Sequence, residues 1–183
     1  LILLCEIFKS FDKAIKIDPM HEDAWLNKGA VLENFLNKHE DALFCFGKNL
    51  EINPNNFMGW TNKGLVYTAL GKYEEAVECF GKATDINPKY ENAWYSKGLV
   101  LGRDLKRLHE AIECHDKTIQ INPGNAEAWT NKGVDLVSLD QYKDALTCFE
   151  KALNIDPYLP EANRGKEKVL RKLESPPKTS TFE

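Results

Sequence analysis

The sequence has no apolar run near the roughly 18 residues that a membrane span needs. It has no excess of basic residues, because 24 Lys and Arg stand against 28 Asp and Glu and leave a net charge of -4. The N-terminal LILLCEIF is followed by Lys9, Asp12 and Lys13 and by no small-residue cleavage motif, unlike a secretory signal. We therefore expect a soluble, cytoplasmic protein that binds neither nucleic acid nor a membrane.

Motifs for catalysis are also missing. The chain contains no glycine-rich phosphate loop and no Ser or Cys nucleophile motif. Its four histidines, His21, His39, His109 and His115, do not follow the spacing of metal ligands. The sequence therefore predicts a protein that is not an enzyme and that needs no metal or cofactor.

What the sequence does contain is a phrase repeated four times, as AWLNKG (24–29), GWTNKG (59–64), AWYSKG (93–98) and AWTNKG (128–133). The four tryptophans, Trp25, Trp60, Trp94 and Trp129, are 35, 34 and 35 residues apart. A fixed period of this length is typical of repeat arrays, in which each unit buries its apolar face against its neighbours.

Each unit contains two helical patterns. In the first, a glycine follows the tryptophan by four residues, and in the second an alanine precedes an aromatic ring or His115 by four residues. This spacing places the paired residues on one helix face. A proline closes each second pattern, at Pro54, Pro88, Pro123 and Pro157. Glycine in a helix costs about 1 kcal/mol relative to alanine, so its repetition predicts a close contact between helices.

These landmarks resemble the tetratricopeptide repeat. The second unit matches its signature of Trp, Gly, a large residue, Ala, Phe, Ala and Pro at every position, with Trp60, Gly64, Tyr67, Ala76, Phe80, Ala83 and Pro88. The resemblance implies an all-α fold, a right-handed α-solenoid of antiparallel helix pairs. A related 35-residue repeat reads RNA, but the Trp, Gly and Pro landmarks are those of the protein-binding family.

The repeat divides the chain into segments. Residues 1–21 are predicted to form the second helix of a truncated repeat, residues 159–174 a capping helix and residues 175–183 a disordered tail. The solenoid as a whole covers residues 1–174, and the chain is expected to be part of a longer protein. The four full repeats are predicted at 22–56, 57–90, 91–125 and 126–158.

Two departures from the repeat are expected to have structural effects. The first and third units contain one extra residue, which we place in the turn between their two helices. The third unit also has His115 where phenylalanine is usual and Thr118 where alanine is usual. We therefore expect the third unit to pack least regularly.

The resemblance implies that the first helices line a concave groove in which a polypeptide segment binds. Asn27, Asn62 and Asn131, interrupted by Ser96, are similar to the asparagine row in the repeat domain of O-linked N-acetylglucosamine transferase. Such amides could bond a peptide backbone, or they could bond their own or a neighbouring helix. The remaining predicted groove residues are Asp23, Leu26, Ala30, Glu33, Met58, Thr61, Leu65, Asn92, Tyr95, Leu99, Arg103, Glu127, Thr130 and Val134.

Some members of the family hold a peptide's terminal carboxylate with a Lys and an Asn four residues apart, and that clamp is absent here. The predicted function is a non-catalytic protein–protein interaction module for an extended or helical polypeptide segment. Two alternatives remain, namely the substrate-recruiting arm of a larger enzyme and a self-assembling scaffold. LILLCEIF, without a covering helix, is predicted to drive formation of a homodimer.

Two further repeated residue types have structural explanations. Cys45, Cys79, Cys114 and Cys148 form an equivalent row, and helices about 8–10 Å apart are too distant for a disulfide or a zinc site. They are interpreted as small hydrophobic side chains in a reducing compartment. The lysine of each NKG or SKG phrase is predicted to lie along the helix contact and to reach water or a carboxylate.

Overall fold

The computed structural model describes the backbone of residues 2–174 and the side chains of residues 6–174. Within that range ten α-helices are joined by short turns, and no strand occurs. The predicted disordered tail, 175–183, lies outside the described residues. The helices are α1 Ile2–Ile17, α2 Glu22–Leu36, α3 His39–Ile52, α4 Phe57–Ala69, α5 Tyr73–Ile86, α6 Glu91–Leu99, α7 Leu108–Ile121, α8 Ala126–Ser138, α9 Tyr142–Ile155 and α10 Pro160–Glu174.

The chain clusters into two compact units, Leu1–Val100 with α1 to α6 and Leu101–Glu183 with α7 to α10. In the first unit α2 pairs with α3 and α4 with α5, while α1 packs on α2, α3 on α4 and α5 on α6. In the second unit α8 pairs with α9 and also contacts α7 and α10. The helices α2, α4 and α8 therefore each contact their own partner and the preceding second helix, as the sequence predicts.

The repeated glycine of a first helix lies against the phenylalanine ring of its second helix. A Cβ atom added to Gly29 would stand 2.7 Å from the Phe46 ring, and one added to Gly64 would stand 2.7 Å from the Phe80 ring. Because carbon atoms pack at about 3.5–4.0 Å, no side chain fits at either glycine. The predicted close contact between the helices is confirmed in the first unit.

The second unit repeats this contact twice around one ring. Phe149 is fully buried in a cluster with Leu136, Cys148 and Val169. A Cβ atom added to Gly133 of α8 would stand 2.7 Å from the Phe149 ring, and one added to Gly165 of α10 would be closer still. The capping helix is thus held by the same ring that joins α8 to α9.

Each tryptophan anchors the turn that precedes its helix. The indole Nε1–H donates a hydrogen bond to the carbonyl oxygen of the proline six residues earlier, at 2.8–3.2 Å in all four repeats. In α10 the equivalent residue is Asn163, whose Nδ2 donates to the Pro157 carbonyl at 3.3 Å. The repeated tryptophan therefore has a polar role in addition to marking the repeat.

The turn inside each repeat contains one residue in the left-handed conformation, with φ between 50° and 71°. The next residue then donates its backbone N–H to the carbonyl of the residue three after the repeated glycine position. This hydrogen bond closes the turn in the same way in all four repeats. The left-handed residues are Asn37, Gly71, Lys106 and Asp140.

The extra residue of the first and third repeats lies in the last turn of the first helix, so its predicted location in the inter-helix turn is wrong. The hydrogen bond that closes the turn joins residues six positions apart in these two repeats, for example Lys38 N and Leu32 O. In the other two repeats it joins residues five positions apart. In the third repeat residues Val100–Asp104 are π-helical, a form that takes up one inserted residue. The backbone of the third repeat is thus irregular, and the expectation that this repeat packs least regularly stays a prediction.

The junction between the first and second repeats is polar. Asn49 of α3 is fully buried and donates its Nδ2 to the backbone carbonyl of Glu22 at 3.1 Å. The Glu22 carboxylate accepts hydrogen bonds from Asn53 at 2.9 Å and from Asn56 at 2.6 Å. The Asn49 Oδ1 has no hydrogen-bond partner within the described chain, and a Cβ atom on Gly59 would overlap it. Asn49 and Gly59 are therefore fitted to one another.

Candidate functional site

The first helices of the Leu1–Val100 unit form a continuous face, because α2 contacts α4 and α4 contacts α6. On this face Asn27 is exposed, and Asn62 and Ser96 are half-buried. Met58 and Leu65 of α4 are exposed large apolar side chains. We call this set of five residues the asparagine face.

The polar groups of the asparagine face are not used by the fold. Among the described residues, the side chains of Asn27, Asn62 and Ser96 form no hydrogen bond, unlike Asn49 and Asn56 of the repeat junction. A carboxamide has two donor hydrogens and one acceptor oxygen, so each of these asparagines keeps its full capacity for a ligand. This favours the ligand-binding interpretation over the structural one in this unit.

Three residues predicted to line the groove are buried instead. Leu26 is 7 % exposed, and Thr61 and Thr130 are each 3 % exposed. Leu26 belongs to the core cluster around Phe46, and each threonine hydroxyl donates to the carbonyl four residues earlier in its own helix. These three side chains lie between packed helices and belong to the core. The prediction that they line the groove is therefore wrong.

The other predicted groove residues retain some solvent exposure. His39 Nδ1 lies within hydrogen-bond distance of the Glu33 carboxylate, at 2.8 Å, and Arg103 pairs with Asp104 at 3.2 Å. The exposed positions are Asp23, Asn92, Arg103, Glu127 and Val134. The half-buried positions are Ala30, Glu33, Tyr95, Leu99 and Asn131, the last on α8 of the second unit.

The repeated lysine behaves as predicted in two repeats. Lys28 Nζ lies 2.7 Å from the Asp12 carboxylate, and Lys132 Nζ lies 2.5 Å from the Asp116 carboxylate. Both lysine side chains are largely covered, with 21 % and 20 % exposed. The aliphatic stem therefore lies in the helix contact while the ammonium reaches an acidic partner on the preceding second helix.

The cysteines of the row are buried within the repeat contacts. Cys45, Cys79, Cys114 and Cys148 are all buried, and none of the four forms a disulfide. Burial raises the pKa of the Cys45, Cys79 and Cys148 thiols to about 11. These three thiols stay protonated at neutral pH, and a protonated thiol is neither a nucleophile nor a metal ligand. Among the described residues, moreover, no group of three His, Cys, Asp or Glu side chains could hold a metal ion.

The second unit contains a buried polar pair that sequence reasoning found only in part. His115 Nε2 lies 3.4 Å from Asp135 Oδ2, and the two side chains are 1 % and 8 % exposed. His115 Nδ1 and Asp135 Oδ2 have no hydrogen-bond partner in the described chain. A Cβ atom on Gly102 would stand 2.6 Å from Asp135 Oδ1. The missed signal is that Asp135 replaces the valine of the other repeats, at Val31, Val66 and Val100.

No helix in the described part of the chain is long and apolar enough to cross a membrane. An uncharacterized protein of Methanocaldococcus jannaschii is 40 % identical over 42 residues, which are 23 % of this chain and 48 % of that protein. The match thus spans about half the length of this curated relative.

Solved structures show the same fold. MamA (41-end) from Desulfovibrio magneticus has a TM-score of 0.75 at 23 % identity, covering 86 % of this chain and 88 % of that one. The first TPR of Spaghetti, bound to the HSP90 peptide SRMEEVD, has a TM-score of 0.63 at 24 % identity, covering 65 % and 94 %. The family model described as the cytochrome c-type biogenesis protein H TPR domain matches residues 36–163. With its all-α solenoid fold and this match over most of its length, the chain belongs to that tetratricopeptide-repeat family.

Proposed function

We propose that the chain is a non-catalytic protein-interaction module and that a polypeptide segment binds on the asparagine face. The observation that carries the proposal is the set of unbonded polar groups on Asn27, Asn62 and Ser96 beside two exposed apolar side chains. A peptide backbone alternates N–H donors and C=O acceptors, and a carboxamide can pair with both. Met58 and Leu65 add apolar surface for the side chains of the bound segment.

The bound segment is proposed to be recognised along its length and not by its terminal carboxylate. The Spaghetti structure contains a peptide that ends in EEVD. In this chain the two clamp positions are Leu26 and Ala30 in α2, and Thr61 and Leu65 in α4. None of these side chains has a positive charge, and Leu26 and Thr61 are buried.

Removing the two asparagine amides should weaken binding without affecting the fold. The ligand would be a polypeptide captured from native lysate, identified by mass and synthesised for titration. Each hydrogen bond contributes about 0.5–1.5 kcal/mol, so Asn27→Ala with Asn62→Ala should cost about 1–3 kcal/mol of binding free energy. Affinity should change little between low and high salt, because neutral amides are not screened.

Asn131→Ala, on the second unit, is the matched comparison and shows whether the α8 asparagine adds to the same affinity. Unchanged binding by a folded Asn27→Ala, Asn62→Ala variant would assign the amides a structural role. A steep loss of affinity with salt would transfer recognition to the charged residues Asp23 and Glu33. Circular dichroism of each variant confirms that the helices are intact.

We also propose that α1 associates with α1 of a second copy. Phe11 occupies the place that Phe46 and Phe80 have in their repeats, yet it is half-exposed, and Ile17 is 75 % exposed. Phe8, which we expected to be uncovered, instead packs against the cluster around Leu26. The side chains of residues 1–5 lie outside the described range.

Phe11→Ser with Ile17→Ser should convert a dimer to a monomer in sedimentation velocity, because burying apolar area contributes about 25 cal/mol per Å². A parent protein that sediments as a monomer at every concentration would contradict the dimer. The same result would leave the peptide-binding proposal intact, since the asparagine face lies on other helices.

We further propose a cytoplasmic location, where the four described thiols would remain reduced.

A further inference from the structure

The repeated lysine recurs once more as Lys166, at the equivalent place in α10, and three of these five lysines have an acidic partner. Lys28, Lys132 and Lys166 each pair with a carboxylate sixteen residues earlier, on the preceding second helix. The three Nζ to oxygen distances are 2.7, 2.5 and 3.1 Å, to Asp12, Asp116 and Glu150. The pairing is therefore a regular feature of how a first helix meets the preceding second helix.

The two remaining lysines, Lys63 and Lys97, lack that partner. The residues sixteen positions earlier are Gly47 and Gly81, both in the Leu1–Val100 unit. Among the described residues, neither ammonium has a carboxylate within ion-pair distance. Glycine removes both the charge and the side-chain volume that the other junctions contain.

The space above the two glycines is open. A Cβ atom added to Gly47 would have no atom within 4 Å, and one added to Gly81 would have only Lys97 Nζ, at 3.9 Å. A carboxylate standing over Gly81 would thus be within reach of the lysine, as the Asp12 carboxylate is of Lys28. We call the pairs Gly47 with Lys63 and Gly81 with Lys97 the two notches.

Both ammonium groups are held in place by aromatic rings. Lys63 Nζ lies 5.5 Å from the Trp60 ring centre and Lys97 Nζ 5.6 Å from the Trp94 ring centre. Lys82 Nζ approaches the Trp60 ring from α5 at 4.2 Å and adds a second positive charge near the first notch. Cation–π contacts of this kind orient a lysine without neutralising it. Each notch therefore combines an uncompensated, pre-positioned cation with room for an anion.

We propose that the two notches bind two carboxylates of an acidic polypeptide segment from a partner protein. The carboxylates take the places that Asp12, Asp116 and Glu150 fill within the chain itself. A protein partner is favoured over nucleic acid, because the net charge of -4 repels a long polyanion while two local sites can still accept single carboxylates. This surface uses side chains other than those of the asparagine face, so it is a second recognition element.

The test uses the full chain and a dye-labelled peptide of alternating glutamate and alanine, with a glutamine and alanine peptide as the uncharged comparison. Lys63→Gln with Lys97→Gln should weaken binding of the glutamate peptide about tenfold, the expected effect of losing two exposed charge pairs. Gly47→Asp with Gly81→Asp should weaken it at least as much, because the new carboxylates fill the notches and repel the ligand. Binding should also weaken with added salt.

Lys132→Gln is the matched control, because Asp116 already satisfies that lysine, and it should leave the affinity within twofold. Equal binding of the two peptides, or no detectable binding of the glutamate peptide, would overturn the proposal. So would an unchanged affinity in either double variant with an intact circular dichroism spectrum. Asn27→Ala with Asn62→Ala should affect the two peptides alike and leave the preference for the glutamate peptide unchanged, which separates this result from failure of the proposed function.

Discussion

Gly59→Ala is expected to lower the free energy of unfolding by about 2 kcal/mol. The new Cβ atom would overlap Asn49 Oδ1 and approach Leu50 Cδ2 to 3.1 Å, and overpacking of this kind costs about 1–3 kcal/mol. Moving the Asn49 side chain away would also break its hydrogen bond to the Glu22 carbonyl, which contributes about 1 kcal/mol. The gain of about 1 kcal/mol from alanine in a helix offsets only part of this loss.

Asn49→Ala should reverse the effect of Gly59→Ala. The junction between α5 and α6 in the same unit has alanine at both equivalent places, Ala83 and Ala93, and both are fully buried. The double variant recreates that arrangement and removes the unpartnered Asn49 Oδ1, so we expect it to recover at least the stability of the parent. Urea unfolding of the four proteins in the cycle measures the coupling, expected at about 2 kcal/mol or more.

The cycle also has an internal control. Ala93→Gly changes the equivalent position in a junction without an asparagine and should cost about 2 kcal/mol, from helix propensity and the loss of one buried methyl group. Effects of Gly59→Ala and Asn49→Ala that add within about 0.5 kcal/mol would show that the two residues are not fitted to one another.

His115→Phe alone is expected to destabilise the protein by about 3–5 kcal/mol, although phenylalanine occupies this place in the other three repeats. The substitution leaves the buried Asp135 carboxylate beside an aromatic ring with no compensating group. Taking a carboxylate out of water without a partner is costly, so the protein must protonate it, admit water or unfold locally. A consensus substitution would thus be harmful at this position.

Adding Asp135→Val to His115→Phe should give a protein more stable than the parent by about 1–4 kcal/mol. The pair then matches the equivalent apolar contact between the first and second repeats, where Phe46 and Val66 belong to one buried cluster. Thermal unfolding followed by circular dichroism compares the parent, the two single variants and the double variant. A single His115→Phe variant as stable as the parent would show that Asp135 does not depend on His115.

Much of the fold follows from the sequence, because the repeated residues have one physical reason each. A close contact between helices at Gly64 was predicted from the cost of glycine in a helix, and the structure places the Phe80 ring there. The prolines mark the ends of the second helices. The extra residue of the first and third repeats was misplaced. The sequence shows an insertion, but its location depends on which hydrogen bond closes the turn, and that bond involves only the backbone.

The candidate site was less predictable than the fold. Transferring groove positions from the family placed Asn27 on the surface correctly but included Leu26 and Thr61, which are buried. Their exposure depends on the distance between successive first helices, and that distance cannot be calculated from the spacing of the repeats in the sequence. The notches could not be predicted from the sequence either. The absence of a carboxylate at Gly47 or Gly81 gains meaning only because the structure shows that Lys28 pairs with Asp12 at the equivalent place.

The polar junctions have a further consequence for a chain whose units are so alike. Near-identical repeats invite kinetic traps during folding, in which a helix docks in the place that belongs to its counterpart one repeat away. Asn49 accepts only a glycine opposite, and Asp135 needs the imidazole of His115. A docking error at either helix would bury an uncompensated polar group or cause a steric clash, so the misfolded state would be short-lived. Asn49 and Asp135 thus specify which helix packs against which, and the chain loses some local stability while its repeats keep the correct order.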